Sequence, residues 1–301
     1  MKKIALNVMA LSVLLSVNSV CAGGMGTIDP SIEWTGFYAG INLGYTASNA
    51  QRLTVIPYNI YTLTTPLAGG IPDILAAASL ASATSAFSLK NDGFLGGGQL
   101  GYTRNIHSEL VAGIETDIQG MASGQAQKSI TQISPAFTLP FGIGTFSTLS
   151  TQTVSKEIDY LGTLRGRLGY LITPTLLFSG TGGLAYGRVS SKTSIAQSLV
   201  PTPLVVFTEF NWASSGSYAN TRAGWTAGGN FEWMVHSNWS AKIEYLYYDL
   251  GSVTYNAGQL AQVALSGPPG VVGQTAYINA VSTTTRFDGH IARIGVNYRF
   301  S

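Results

Sequence analysis

Charge is the scarcest ingredient of this sequence: 14 acidic and 16 basic residues are spread over 301 positions, 10% of the chain. Soluble domains carry about 25%, so a surface facing only water is disfavoured. The deficit does not signal disorder, because 45% of the residues are hydrophobic and disordered segments are poor in them. The one cysteine, Cys21, excludes a disulfide-stapled scaffold. Three histidines leave little material for acid–base or metal chemistry. Beyond the N-terminus no stretch approaches the roughly 18 uninterrupted apolar residues of a membrane-crossing helix. The near balance of charge offers no footprint for a nucleic acid.

What is present begins with a leader. Met1-Lys2-Lys3, a largely apolar run from Ile4 to Val20 and the small residues Cys21-Ala22-Gly23-Gly24 spell a secretory signal peptide over residues 1–22, with Val20 and Ala22 at the positions the peptidase inspects. An uncleaved anchor is one rival. A lipoprotein leader acylated at Cys21 is another, opposed by Val20 where a small residue is required. Cleavage after Ala22 removes the cysteine with Lys2 and Lys3 and leaves 14 bases against 14 acids. Residues 23–33 are then expected as a periplasmic N-terminal segment and 34–301 as the barrel described next.

From residue 33 onward the chain alternates with period two, which puts successive side chains on opposite faces of a strand. Eight segments show it: 35–46, 94–104, 109–119, 160–170, 176–187, 222–234, 239–249 and 288–300. Each has 11 to 13 residues, long enough to cross a bilayer at a tilt and longer than the usual globular strand of about 5 or 6. None contains proline, although the chain has 11. Tight turns at 105–108, 171–175 and 235–238 alternate strictly with four connections of roughly 34 to 47 residues. The spacing predicts an all-β fold: an eight-stranded antiparallel transmembrane β-barrel with four long external loops and three short periplasmic turns. In the first loop, the Ala- and Ser-rich stretch from Pro72 to Phe87 reads equally as a short helix or a flexible loop.

The chemistry of the faces separates a membrane barrel from a soluble one. By parity, Glu115, Asp117, Arg165, Arg167, Glu232, Lys242, Glu244 and Arg293 share the inner face, whereas Leu164, Leu168, Trp225, Phe231, Trp233, Ile243, Tyr245, Ile294, Val296 and Tyr298 face out. A soluble barrel requires the reverse. Four acids and four bases confined in a narrow lumen call for pairing, so a structural ion network is favoured over a pore lining or a binding site. Trp225 and Trp233 share a face eight residues apart, roughly 20 Å along the membrane normal after tilt, which suits two interfacial girdles. Tyr45, Tyr170 and Trp239, near strand ends, are further candidate anchors.

Six motifs now carry a resemblance. Trp34-Thr35-Gly36-Phe37-Tyr38-Ala39-Gly40, Gly113-Ile114-Glu115-Thr116-Asp117, Leu164-Arg165-Gly166-Arg167-Leu168-Gly169-Tyr170, Gly224-Trp225-Thr226-Ala227-Gly228-Gly229, Glu244-Tyr245-Leu246-Tyr247-Tyr248-Asp249-Leu250-Gly251 and Arg293-Ile294-Gly295-Val296-Asn297-Tyr298-Arg299-Phe300 occur in order. Together they resemble the small OmpA-like and opacity-type outer-membrane barrels, especially the alphaproteobacterial "porin family" surface antigens. The likeness covers the strands, not the loops. It implies a bacterial outer-membrane location with loops at the cell surface. It also implies contacts with outer-membrane lipid and lipopolysaccharide, and a C-terminal signal for the barrel-assembly machinery in Ile294, Val296, Tyr298 and Phe300, although Ser301 follows the terminal aromatic. Adhesion, host contact through surface ligands and heme binding are the functions it offers.

Catalytic and metal-binding constellations are not apparent. His107 and His236 fall in turns, His290 faces lipid by parity and is followed by Ile291 and Ala292 rather than a serine, and no Cys or His cluster has metal-ligand spacing. Gly96-Gly97-Gly98 precedes no helix and reads as strand packing. No cofactor and no enzyme activity are expected. The reading that results is an envelope structural and surface-interaction protein of adhesion type, with a small porin-like diffusion channel as the alternative.

Overall fold

The computed structural model describes residues 33–49, 51–59, 71–122, 125–139, 144–201, 211–264 and 275–300. The predicted signal peptide and residues 23–32 of the segment after it lie outside these. The elements are β1 Gly36–Ser48, β2 Gln51–Asn59, α1 Ile71–Ala83, β3 Ser85–Leu89, β4 Gly93–Asn105, β5 Leu110–Met121, β6 Ala126–Ile133, β7 Phe137–Leu139, β8 Gly144–Thr173, β9 Leu176–Pro201, β10 Asn211–His236, β11 Trp239–Ala264 and β12 Thr275–Phe300.

Eight of the strands close a ring in the order β1, β4, β5, β8, β9, β10, β11, β12, all antiparallel, with β12 returning to β1 from Phe37 opposite Phe300 to Ser48 opposite Gly289. Each of the eight predicted segments lies within one of these strands, apart from a residue or two at an end. The tight turns stand at 106–109, 174–175 and 237–238.

The long connections are not mainly loop. Strands β8 to β12 have 26 to 30 residues rather than 11 to 13, because they run on far beyond the apolar band. Their chemistry inverts as they do so. On β9 the outward side changes from exposed Phe178 and Leu184 to exposed Arg188, Lys192 and Ser194, while the inward side changes from Ser179 and Thr181 to Val189 and Ile195. The first arrangement suits lipid outside and a hydrogen-bonded lumen; the second suits water outside and an apolar core. Irregularities between Ile158 and Tyr160 on β8 and between Asp249 and Ser252 on β11, the latter at Gly251 with φ +80°, shift the alternation by one residue near this change.

Beyond the ring's apolar band the ladder between β10 and β11 stops at Trp225 opposite Asp249. There β6, β8, β9 and β10 form one sheet, and β11, β12, β2 and β3 another. Between them lies a core that includes Leu53, Val55, Phe87, Val154, Ile195 and Val281. A second core, with Ile158, Leu161, Val189, Leu246, Tyr248, Phe287 and Ile291, lies nearer the membrane.

The stretch left open as helix or loop is helix from Ile71. Leu75, Ala78, Ser79, Ser82 and Ala83 are buried, the i, i+3, i+4, i+7, i+8 stripe of a helix packed on one face. Its small residues admit close approach to the sheets. Gln152 Nε2 donates to the carbonyls of Ser82 and Ala83 at 3.3 and 2.9 Å, satisfying helix-end acceptors. Ser79 Oγ donates to Gln197 Oε1 at 2.6 Å, and Gln197 Nε2 donates to Ser82 Oγ at 3.0 Å.

Candidate functional site: the sealed lumen

All eight charged residues assigned to the inner face are buried, with side-chain exposures of at most 1% for those in ion pairs. Strand register explains how they meet. Glu115 lies directly opposite Arg165, Glu232 opposite Lys242, and Glu244 opposite Arg293, so opposite charges face each other across three ladders. Arg165 binds Glu115, Asp117 at 2.9 Å and Glu244 at 2.7 Å. Arg167 bridges Glu115 at 3.0 Å and Glu232 at 2.7 Å. Lys242 reaches Glu115 at 2.8 Å, and Arg293 reaches Asp117 at 2.7 Å and also Glu244.

Room for these long side chains comes from glycine. Arg165 lies opposite Gly183, Arg167 opposite Gly113, Arg293 opposite Gly44 and Lys242 opposite Gly295. A barrel of eight strands is only just wide enough for its interior side chains to fill; a Cβ at Gly44, Gly113 or Gly183 would collide with the facing strand.

Sequence reasoning missed three members. Tyr38, opposite Gly101, donates its hydroxyl to Glu115 at 2.5 Å and accepts from Arg167 at 2.6 Å. Arg299 binds Glu232 at 3.2 Å and the Trp34 carbonyl at 3.1 Å. Trp34, 1% exposed, lies under the Arg299 guanidinium at 4.6 Å and donates its indole N–H to the Pro174 carbonyl at 3.0 Å, which closes the turn end of the lumen. Arg299 shares the parity of Arg293, so that signal was available. Tyr38 shares the parity of Gly40, Asn42 and Gly44, so its face was legible, but its partners depend on register.

Of the proposed anchors, Tyr45, Tyr170, Trp225, Trp233 and Trp239 all project outward and are between 44% and 57% exposed. Trp225 packs on Tyr247 and Trp239 on Tyr298, each with ring centroids 5.2 Å apart. Ile294, Val296, Tyr298 and Phe300 line the outer face of β12. His290 also faces out, with Nδ1 2.6 Å from the Tyr245 hydroxyl and Nε2 3.2 Å from Asn49 Oδ1. Asn49 Nδ2 in turn donates to Asp288 Oδ2 at 2.7 Å. Among the described residues no group of three His, Cys, Asp or Glu side chains could hold a metal.

A model of the outer membrane protein beta-barrel domain matches residues 10–300. The chain belongs to this family of outer-membrane β-barrels. The barrel is therefore a protein of the bacterial outer membrane, and the exposed apolar belt is its lipid face. A relative named 31 kDa outer-membrane immunogenic protein, from Brucella melitensis, is 28% identical over 274 residues, covering 90% of this chain and 85% of the relative. The 22 kDa outer membrane protein of Rhizobium leguminosarum is 31% identical over 110 residues, 36% of this chain and 41% of its own. Among solved structures, the outer membrane protein OprG of Pseudomonas aeruginosa superposes with a TM-score of 0.38 at 10% identity, over 90% of this chain and 99% of OprG. The attachment invasion locus protein Ail of Yersinia pestis does so at 0.28 and 11%, over 88% and 99%.

Beyond the lipid belt of the outer-membrane barrel Lys156 is buried and makes no ion pair among the described residues. Lys156 Nζ donates to the Arg286 carbonyl at 2.5 Å and sits 4.7 Å from the Phe287 ring centroid. Burial holds its ammonium down to about 8, with the carboxylate of Asp288 opposing the shift.

Proposed function

We infer that this barrel is a non-conducting membrane anchor that presents a folded extracellular module for contact at the cell surface. The observation that carries the reading is the filling of the lumen in series: Trp34, the ion network, the core around Phe287 and Ile291, the core around Phe87 and Val281, and helix α1 at the far end. An open diffusion channel has no use for five successive plugs. The name of the Brucella relatives, an immunogenic protein, is in keeping with an exposed module. In this reading the outward tryptophans and tyrosines meet lipid and lipopolysaccharide headgroups, and the outer row of β12 is what the barrel-assembly machinery binds. Planar-bilayer recording tests the anchor: the unmodified protein is expected to give no steady current, and stable ion-selective channels in most insertions would replace this reading with the porin-like one.

A further inference from the structure

Resting on that surface-interaction reading, we propose that the free edge of β6 is a docking site for an extended acidic peptide segment of another protein, which adds as a strand. β6 pairs with β8 over eight consecutive positions, from Ala126 opposite Lys156 to Ile133 opposite Leu149, without a bulge. Among the described residues no ladder occupies its other side. None of its eight residues is buried and five are exposed, Ile133 to 59%. β3, the terminal strand of the other sheet, likewise pairs on one side only, with β2, but it is more deeply buried than β6. β10 and β11 adjoin, with Ser214 Oγ donating to the Gly258 carbonyl at 2.5 Å, and alternate residues of β3, including Phe87 and Leu89, are buried.

Proteins commonly blunt such an edge with proline, a bulge, shortness or charge. β6 has no proline and no irregularity, and its only charge is Lys128, which makes no ion pair among the described residues. Its backbone lies ready for strand addition, in which main-chain hydrogen bonds supply affinity and alternate side chains supply selectivity. Lys128 selects a carboxylate, and Ser129 and Thr131 select hydroxyl side chains opposite them. A second copy is a poor occupant. Two copies in one membrane carry their β6 strands in the same sense, which denies them antiparallel pairing.

A suitable probe is already present in the chain. Residues 149–156 pair with β6 on its covered side, so a labelled eight-residue peptide of that sequence, with Val154→Glu to place an acid opposite Lys128 and Lys156→Gln to make the peptide acidic, is titrated into the purified protein in detergent and followed by fluorescence anisotropy. Two further peptides are N-methylated on alternate amides in opposite phases. Saturable binding is expected, lost about tenfold or more in one methylation phase and kept in the other, since only one set of amides faces the ladder. Lys128→Glu is expected to lower affinity for the acidic peptide several-fold. Absence of binding by the unmethylated peptide, equal behaviour of the two phases, or indifference to Lys128→Glu overturns the proposal. Antibody access to the module on intact cells tests the underlying surface reading separately, so either can fail alone.

Discussion

Arg165 uses all three guanidinium nitrogens: Nε on Thr163, Nη1 on Thr181 and Glu244, Nη2 on Glu115 and Asp117. Arg165→Ala therefore leaves carboxylates buried without their common partner, and a loss of about 3 to 5 kcal/mol is expected, read as a lowered urea midpoint for the barrel in detergent. Lys156 acts in the opposite sense. Its folded value of about 8 lies below the ordinary 10.5, so between these values the unfolded chain holds a proton that the folded module has released, and stability rises with pH. The span corresponds to about 3 kcal/mol. Tyr255, whose phenol burial raises above 10, works against stability above that pH, so the window to measure is 8 to 10. Lys156→Met is expected to flatten the rise and to stabilise the module at pH 7. The charged residues of the lumen were legible because period-two parity needs no tertiary information. Lys156 was not, since it lies outside the segments assigned by parity, beyond the irregularity between Ile158 and Tyr160.

Helix α1 is covalently part of the β2–β3 connection, yet its hydrogen bonds go chiefly to Gln152 of β8 and Gln197 of β9 in the facing sheet. These two glutamines latch one sheet to the other. Replacing both by alanine is expected to expose the helix to protease within the intact barrel, detected as a single early cut in residues 71–83 while the membrane strands stay protected. At the same scale, an epitope inserted between Pro135 and Ala136, both exposed, is expected to bind antibody on intact cells, and one between His107 and Ser108 is not. The reverse labelling would invert the barrel. The sequence pattern locates the strands inside the lipid belt but not their extensions, since the extensions invert their faces and read as loops. Whether Pro72 to Phe87 formed helix or loop was likewise undecidable, because a stripe of alanine and serine is apolar enough for a core only when the facing sheets come close.

For the whole molecule, ring closure pairs the backbone of the lipid-embedded strands and leaves no edge there. The protein is accordingly expected to stay folded in sodium dodecyl sulfate at room temperature and to shift its gel mobility only on boiling; identical mobility before and after would contradict a closed barrel. The sequence by itself determined the membrane class, the strand number, the alternation of short and long connections and the inward charges, because each follows from local periodicity and from the cost of exposing charge to lipid. Tertiary structure alone decided which charges pair, that Trp34, Tyr38 and Arg299 complete the seal, and that the long connections fold into two packed sheets with an exposed edge at β6. Those depend on strand register and on the width left by glycines in neighbouring strands, and both arise only when residues distant in the chain are brought side by side.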